Sequence, residues 1–182
     1  MLHYNIITVV QNVELDNRNA PKDNRNNIVF YSVKKEVPNM NLCGEFEHTL
    51  DAKNRLFIPA KYREMLGEKV MIVRDHQNKC LLIYSIPEWE KYETQLFSAI
   101  PPSKSRDFKR YLYRNSLETG YDSQGRVMLT PALCEHAELQ KGTVIISGCG
   151  NLAEIWNKAN YNAKLEEEKS TDYDKLCNDY GV

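Results

Sequence analysis

From Gly44 onward, hydrophobic and polar positions fall into a pattern that occurs twice along the chain. Glu47 to Pro59 lies over Glu118 to Thr130 at an offset of 71 residues, each copy placing a short polar turn between two strand-like segments. Both copies continue into a short helical segment, Tyr62 to Leu66 in the first and Leu133 to Ala137 in the second. Two apolar runs follow: Val70–Val73 and Cys80–Tyr84, split at Asn78, then Val144–Ile146 and Ala153–Trp156, split at Gly148-Cys149-Gly150-Asn151. Tyr84 and Trp156 align at an offset of 72, so one residue is gained in the second copy. Each copy therefore reads as strand, tight turn, strand, helical turn and hairpin. Four such strands bury too little surface alone, so the two copies are expected to share one core.

Helical patterns punctuate these units. Ser85-Ile86-Pro87-Glu88 has the form of a capping box, with the Ser hydroxyl accepting an orphan amide and Glu88 reaching back. Trp89, Tyr92, Leu96 and Ile100 then share one helical face, and Pro101-Pro102 ends it. A second helix is expected from Ser105 to Tyr113, with Phe108, Tyr111 and Leu112 inward. Asn157 can cap a last helix carrying Tyr161 and Leu165, after which Glu166-Glu167-Glu168 opens a frayed acidic tail.

Residues 1–39 have a different character. They hold eight asparagines and no sustained period, which predicts a disordered tail. Lys35-Glu36-Val37 can also be encoded by a ribosome-binding sequence upstream of Met40, which suggests a miscalled start. The expected organisation is thus an extension at 1–39, a β unit at 44–86, a helical connector at 87–114, a second β unit at 115–158, and a C-terminal helix and tail at 159–182.

Composition narrows the function classes. The 182 residues carry 24 basic and 25 acidic groups, and residues 40–156 alone hold 15 of each. Any attraction to polyanions must come from where the cations point, not from their total. No apolar run reaches the roughly 18 residues of a membrane helix, and no basic, apolar-cored signal peptide opens the chain. Five cysteines form no CxxC pair, and with the four histidines they make no metal-type spacing. No metal, cofactor or small-molecule substrate is expected, and reduced thiols in a cytoplasmic protein are the default.

Converging catalytic groups are hard to assemble. GxSxG, GxxxxGK, HExxH and the zinc-deaminase pattern are all missing, and Cys43 with His48 lacks a third orienting group. What stands out is a duplicated Asp-x-x-x-Arg. Of nine aspartates, only Asp51 and Asp122 have an arginine four residues on, Arg55 and Arg126. Each pair straddles a turn whose third inner residue, Asn54 or Gly125, tolerates positive φ. A carboxylate across such a turn can hold a guanidinium in one orientation, suited to phosphate or guanine. Lys53 adds a cation in the first turn, where Gln124 is neutral in the second. An isolated surface pair would merely fasten the turn, for roughly 0–1 kcal/mol; recurrence in the same context argues for more.

The run Gly44–Asp51, with Lys53, Arg55, Leu56, Ile58-Pro59-Ala60 and Arg63-Glu64, resembles the MraZ family of bacterial transcriptional regulators, encoded at the head of the division and cell-wall gene cluster. Ile86–Lys91, Asp122–Arg126 and Glu154-Ile155-Trp156 match the same family, over Met40 to about Leu165. The resemblance implies an α+β fold, mainly β with interspersed helices. Two SpoVT/AbrB-type swapped-hairpin units would form one pseudo-two-fold β-barrel. It also implies a nucleoid-associated regulator assembled as a ring-shaped homo-oligomer, binding G-rich direct repeats of double-stranded promoter DNA. Arg55, oriented by Asp51 and assisted by Lys53, and Arg126 with Asp122 would make the contacts. Three residues depart from the family: Asn54 for Gly, Thr130 for Pro, and Cys134 opposite Arg63. The second unit is the less faithful copy, so Arg55 is expected to be the stronger contact. The rival reading is an antitoxin-type protein-interaction module on the same barrel, its acidic tail occupying a toxin's groove.

Overall fold

The computed structural model describes residues 41–169 and 172–181. The expectations for residues 1–39 lie outside the described residues. Among the described residues there are eight strands: β1 (Glu45–Leu50), β2 (Arg55–Phe57), β3 (Lys69–Arg74), β4 (Cys80–Ser85), β5 (Ser116–Gly120), β6 (Arg126–Met128), β7 (Gly142–Gly148) and β8 (Ala153–Asn157). Helices α1 (Ala60–Leu66) and α4 (Pro131–His136) sit inside the two copies, and α2 (Ile86–Ala99) and α3 (Pro102–Arg114) lie between them. Helices α5 (Lys158–Glu168) and α6 (Tyr173–Tyr180) end the chain.

The strands form one sheet in the order β5-β3-β4-β8-β7-β1-β2-β6. This is a nearly closed barrel, its seam spanned where the Asp122 amide donates to the Arg126 carbonyl at 2.9 Å. The polar turns do not fold their flanking strands into ordinary hairpins, as a simple strand–turn–strand reading expects. β1 and β2 share only the Leu50–Leu56 pair, whereas β1 runs along β7, β2 along β6, β3 along β5 and β4 along β8. Every one of those four partnerships joins the first copy to the second. The swap follows from size: three-residue strands cannot hold a sheet by themselves and gain partners only by exchange.

Register shows the pseudo-two-fold directly. Leu56 pairs Val127, with Arg55 opposite Met128 and Phe57 opposite Arg126. Leu82 likewise pairs Glu154, flanked by Leu81–Ile155 and Ile83–Ala153. Ile72 pairs Ile83 while Ile146 pairs Ile155, so the third strands stand 74 residues apart and the fourth strands 72. The single residue gained is thus three gained before β7 and two lost from the turn after it.

Inside the barrel the two copies share one core, with Leu50, Leu56, Ile72, Ile83, Ile146 and Ile155 fully buried. Smaller apolar clusters seat α2 through Trp89 and Tyr84, and α5 through Tyr161 and Trp156. The Ser85 hydroxyl accepts from the Glu88 amide at 3.3 Å, but the returning half of the capping box is missing. Glu88 instead pairs with Lys91 at 2.5 Å and accepts from Asn151 at 3.3 Å. Asn157 caps α5 as expected. Helix α3 begins three residues earlier than its polar pattern predicts, because Pro102 suits the first helical turn. Tyr111 on that helix is exposed, not inward. A further helix, α6, stands where a frayed tail was expected, capped by Asp172 and closed by left-handed Gly181.

Candidate nucleic-acid interface

The two Asp-x-x-x-Arg turns have the same construction, bond for bond. In the first, Asp51 Oδ1 accepts from the Lys53 and Arg55 amides at 2.8 and 3.0 Å, and Oδ2 accepts from Arg55 Nε at 2.6 Å. In the second, Asp122 Oδ1 accepts from the Gln124 and Arg126 amides at 2.9 and 3.0 Å, and Oδ2 accepts from Arg126 Nε at 2.8 Å. One carboxylate oxygen therefore shapes the backbone while the other aims the guanidinium. The aspartate is the joint between fold and site.

That joint sets the charge state. Backbone donation from Arg55, assisted by its side chain, holds the Asp51 carboxyl down at about 2; the Arg126 side chain does the same for Asp122, also to about 2. Both carboxylates are thus held ionised to well below the ordinary carboxylate range.

The swap brings the two turns together. Asn54 and Gly125 have φ of 56° and 76°, the left-handed region that these residue types accept. Their carbonyls bond to the neighbouring strand: Asn54 O accepts from the Leu129 amide at 2.9 Å, and Gly125 O from the Ile58 amide at 3.1 Å. These bonds fix β2 and β6 as a short ribbon with Leu56 and Val127 turned into the core. Arg55, Phe57, Arg126 and Met128 consequently share the opposite, outer face. Arg55 and Arg126 are diagonal neighbours on it, about 7–8 Å apart. Lys53 stands exposed at the first tip.

A residue whose place the pattern alone did not reveal joins this group. Arg63, on α1 of the first copy, lies against the second copy's turn. Its Nε donates to the Ile58 carbonyl at 3.1 Å and its guanidinium lies 5.5 Å from the Phe57 ring centre. A Cβ built on Gly125 would meet the Arg63 guanidinium carbon at 2.6 Å. Cys134, the counterpart in the second copy, is buried instead. The signal was available in the departure of Cys134 from Arg63, but the contact crosses between copies and leaves no local spacing to read. Cys43 and His48 are not brought together: the Cys43 thiol meets Lys61 Nζ at 3.7 Å, while the His48 ring packs on Phe57 at 5.1 Å. Among the described residues no group of three or more His, Cys, Asp or Glu could hold a metal ion, and no helix is long and apolar enough to cross a membrane.

Guanidiniums held by their own aspartates on the outer face of the ribbon present oriented donors to a flat acceptor edge or a phosphate. Comparison with known proteins agrees in kind. The family described as "MraZ protein, putative antitoxin-like" matches residues 42–110 and again 112–176. The chain is 42% identical over 138 residues to the Transcriptional regulator MraZ of Lactobacillus gasseri, covering 75% of this chain and 94% of that protein. It is 38% identical over 143 residues to the protein of the same name from Pediococcus pentosaceus (76% and 98% covered). Over 133 residues it is 40% identical to that of Caldanaerobacter subterraneus (72% and 89%). With its two tandem units and this extent of likeness, the chain belongs to the MraZ family, a family of transcriptional regulators and not of enzymes.

Proposed function

We propose that this protein is a sequence-specific, double-stranded-DNA-binding regulator that reads G-rich direct repeats in the promoter of the division and cell-wall gene cluster. The observation that carries the reading is the pair of arginines, Arg55 and Arg126, each clamped by its own aspartate on one outer ribbon. A guanidinium fixed at Nε can offer its two remaining nitrogens to guanine O6 and N7, the commonest specific contact in the major groove. Arg55 carries the larger share. Its side chain is 33% exposed against 24% for Arg126, whose Nη2 also lies 2.7 Å from Asp122 Oδ2. Lys53 adds a phosphate-reaching cation beside Arg55 alone.

One ribbon is a small reader. A ring-shaped homo-oligomer, presenting identical ribbons to spaced repeats, raises avidity through effective concentration without any new contact. The protein then acts in the cytoplasm, on the nucleoid. The test is a gel shift of the full chain with the DNA upstream of its own gene, repeated with Arg55→Ala. Loss of the shift by a variant of unchanged oligomeric mass supports the reading, and undiminished binding refutes it.

A second reading, an antitoxin-type protein-interaction module, draws on one observation: Tyr173, Leu176 and Tyr180 of α6 are exposed at helical spacing beside three aspartates. Stoichiometric co-purification of a partner protein that blocks the DNA shift would favour it.

A further inference from the structure

The two-fold relation pairs Phe57 with Met128, and the two side chains meet different fates. Phe57 is roofed: His48 packs on its ring from one side and Arg63 lies over it from another. Met128 is 64% exposed, although its neighbours Val127 and Leu129 are buried. It stands on the outer face of the ribbon directly opposite Arg55. The hydrogen bonds at Asn54–Leu129 and Ile58–Gly125 make Arg55–Met128 a non-hydrogen-bonded pair. Such pairs bring Cα atoms to about 4.5 Å, the closest cross-strand approach in a sheet. An apolar side chain is therefore held bare beside the better-exposed guanidinium of the interface.

We infer that Met128 is a specificity-determining residue that reads the C5-methyl group of a thymine next to the guanine read by Arg55. The thymine methyl is the one apolar feature that a base pair presents in the major groove. Successive bases of a strand are about 3.4 Å apart, so side chains rooted about 4.5 Å apart fall on adjacent steps. Met is unbranched and adaptable, so it can reach a methyl group without a tailored socket. The other half of the ribbon lacks this device, because Phe57 beside Arg126 is already covered. Each ribbon is therefore asymmetric and reads a guanine–thymine step in one direction, which matches repeats that run head to tail. This inference rests on the DNA-binding reading.

The test keeps the two separable. The full chain is titrated with a fluorescent duplex of the DNA upstream of its gene, and with duplexes in which one thymine at a time becomes deoxyuridine, which removes only the methyl group. Wild type should lose about fourfold in affinity per ribbon, the effect of burying one methyl group, at a thymine flanking a guanine. Met128→Ala should bind the thymine and deoxyuridine duplexes equally, and Met128→Leu should keep the discrimination. Indifference of the wild type to every deoxyuridine, or undiminished discrimination in Met128→Ala, overturns the assignment while leaving DNA binding intact. A Met128→Ala change that alters oligomeric mass and not the thymine preference also overturns it. Failure of the wild type to bind the duplex at all defeats the DNA-binding reading itself.

Discussion

The two Asp-x-x-x-Arg turns share a backbone and a clamp yet differ in everything around them. The first has left-handed Asn54, exposed Lys53 and, across the ribbon, bare Met128. The second has left-handed Gly125, neutral Gln124, and a neighbourhood filled by Arg63 and Phe57. The difference teaches that duplication conserved the means of aiming a guanidinium and released the surroundings to diverge. Both tips are exposed, but only the second turn has its left-handed residue, Gly125, buried against an arginine of α1.

The largest test of that contrast is the paired loss of the two arginines. Arg55→Ala should cost about 1–3 kcal/mol per site in DNA binding, which repeated ribbons amplify to loss of a detectable complex. Arg126→Ala should cost visibly less by fluorescence anisotropy, and equal losses would erase the distinction. Stability should rank the turns the other way. Gly125→Ala forces an L residue to left-handed φ and a Cβ into Arg63, so it should destabilise by at least about 1–2 kcal/mol, read as a shift in chemical-denaturation midpoint. Asn54→Gly should change stability by only a few tenths of that. Restoring part of the Gly125→Ala loss with Arg63→Ala would show that the crowding is real.

Charge gives a smaller lever. Gln124→Lys should make the second turn resemble the first and steepen the dependence of binding on log salt by about one, while Lys53→Gln should flatten it by about one. The least effect is expected from acid. Both clamp carboxyls are depressed to about 2 from an ordinary value of 3.8. Their contribution is complete above the unfolded value and is lost only as pH falls through the folded one. Clamping of Arg55 and Arg126, followed by NMR of the guanidinium Nε–H groups, should therefore persist unchanged through pH 4 and fail in both turns only as pH approaches about 2.

Much of this was legible from pattern, and the remainder was not for identifiable reasons. Strand positions, the 71-residue offset, the Ser85 and Asn157 caps and both turns could be read because each is encoded within a few residues. Strand partnership could not. Alternation at Arg55-Leu56-Phe57 says which side chains face the core, but not that Leu56 will sit beside Val127 rather than Leu50 alone. The gain of three residues and loss of two appeared only as their net, because both fall in connecting segments with no motif to align and only the strand register separates them. Glu88 turned to Lys91 and Asn151 because a nearby ammonium and a long-range amide outcompeted the local backbone. In the site, Asp51, Arg55, Asp122 and Arg126 announced themselves by repetition. Arg63 and Met128 gain their meaning only from what the swapped barrel places next to them.

The central claim is that Arg55, aimed by Asp51, reads guanine. Titrating wild type and Arg55→Ala against the upstream duplex with and without 7-deazaguanine in the repeats, which removes the N7 acceptor alone, tests it most directly. The account predicts that, at low salt where both proteins bind measurably, 7-deazaguanine weakens wild type about tenfold or more per contact and weakens Arg55→Ala clearly less, through Arg126 alone. Equal sensitivity of both proteins to the missing N7 would contradict it.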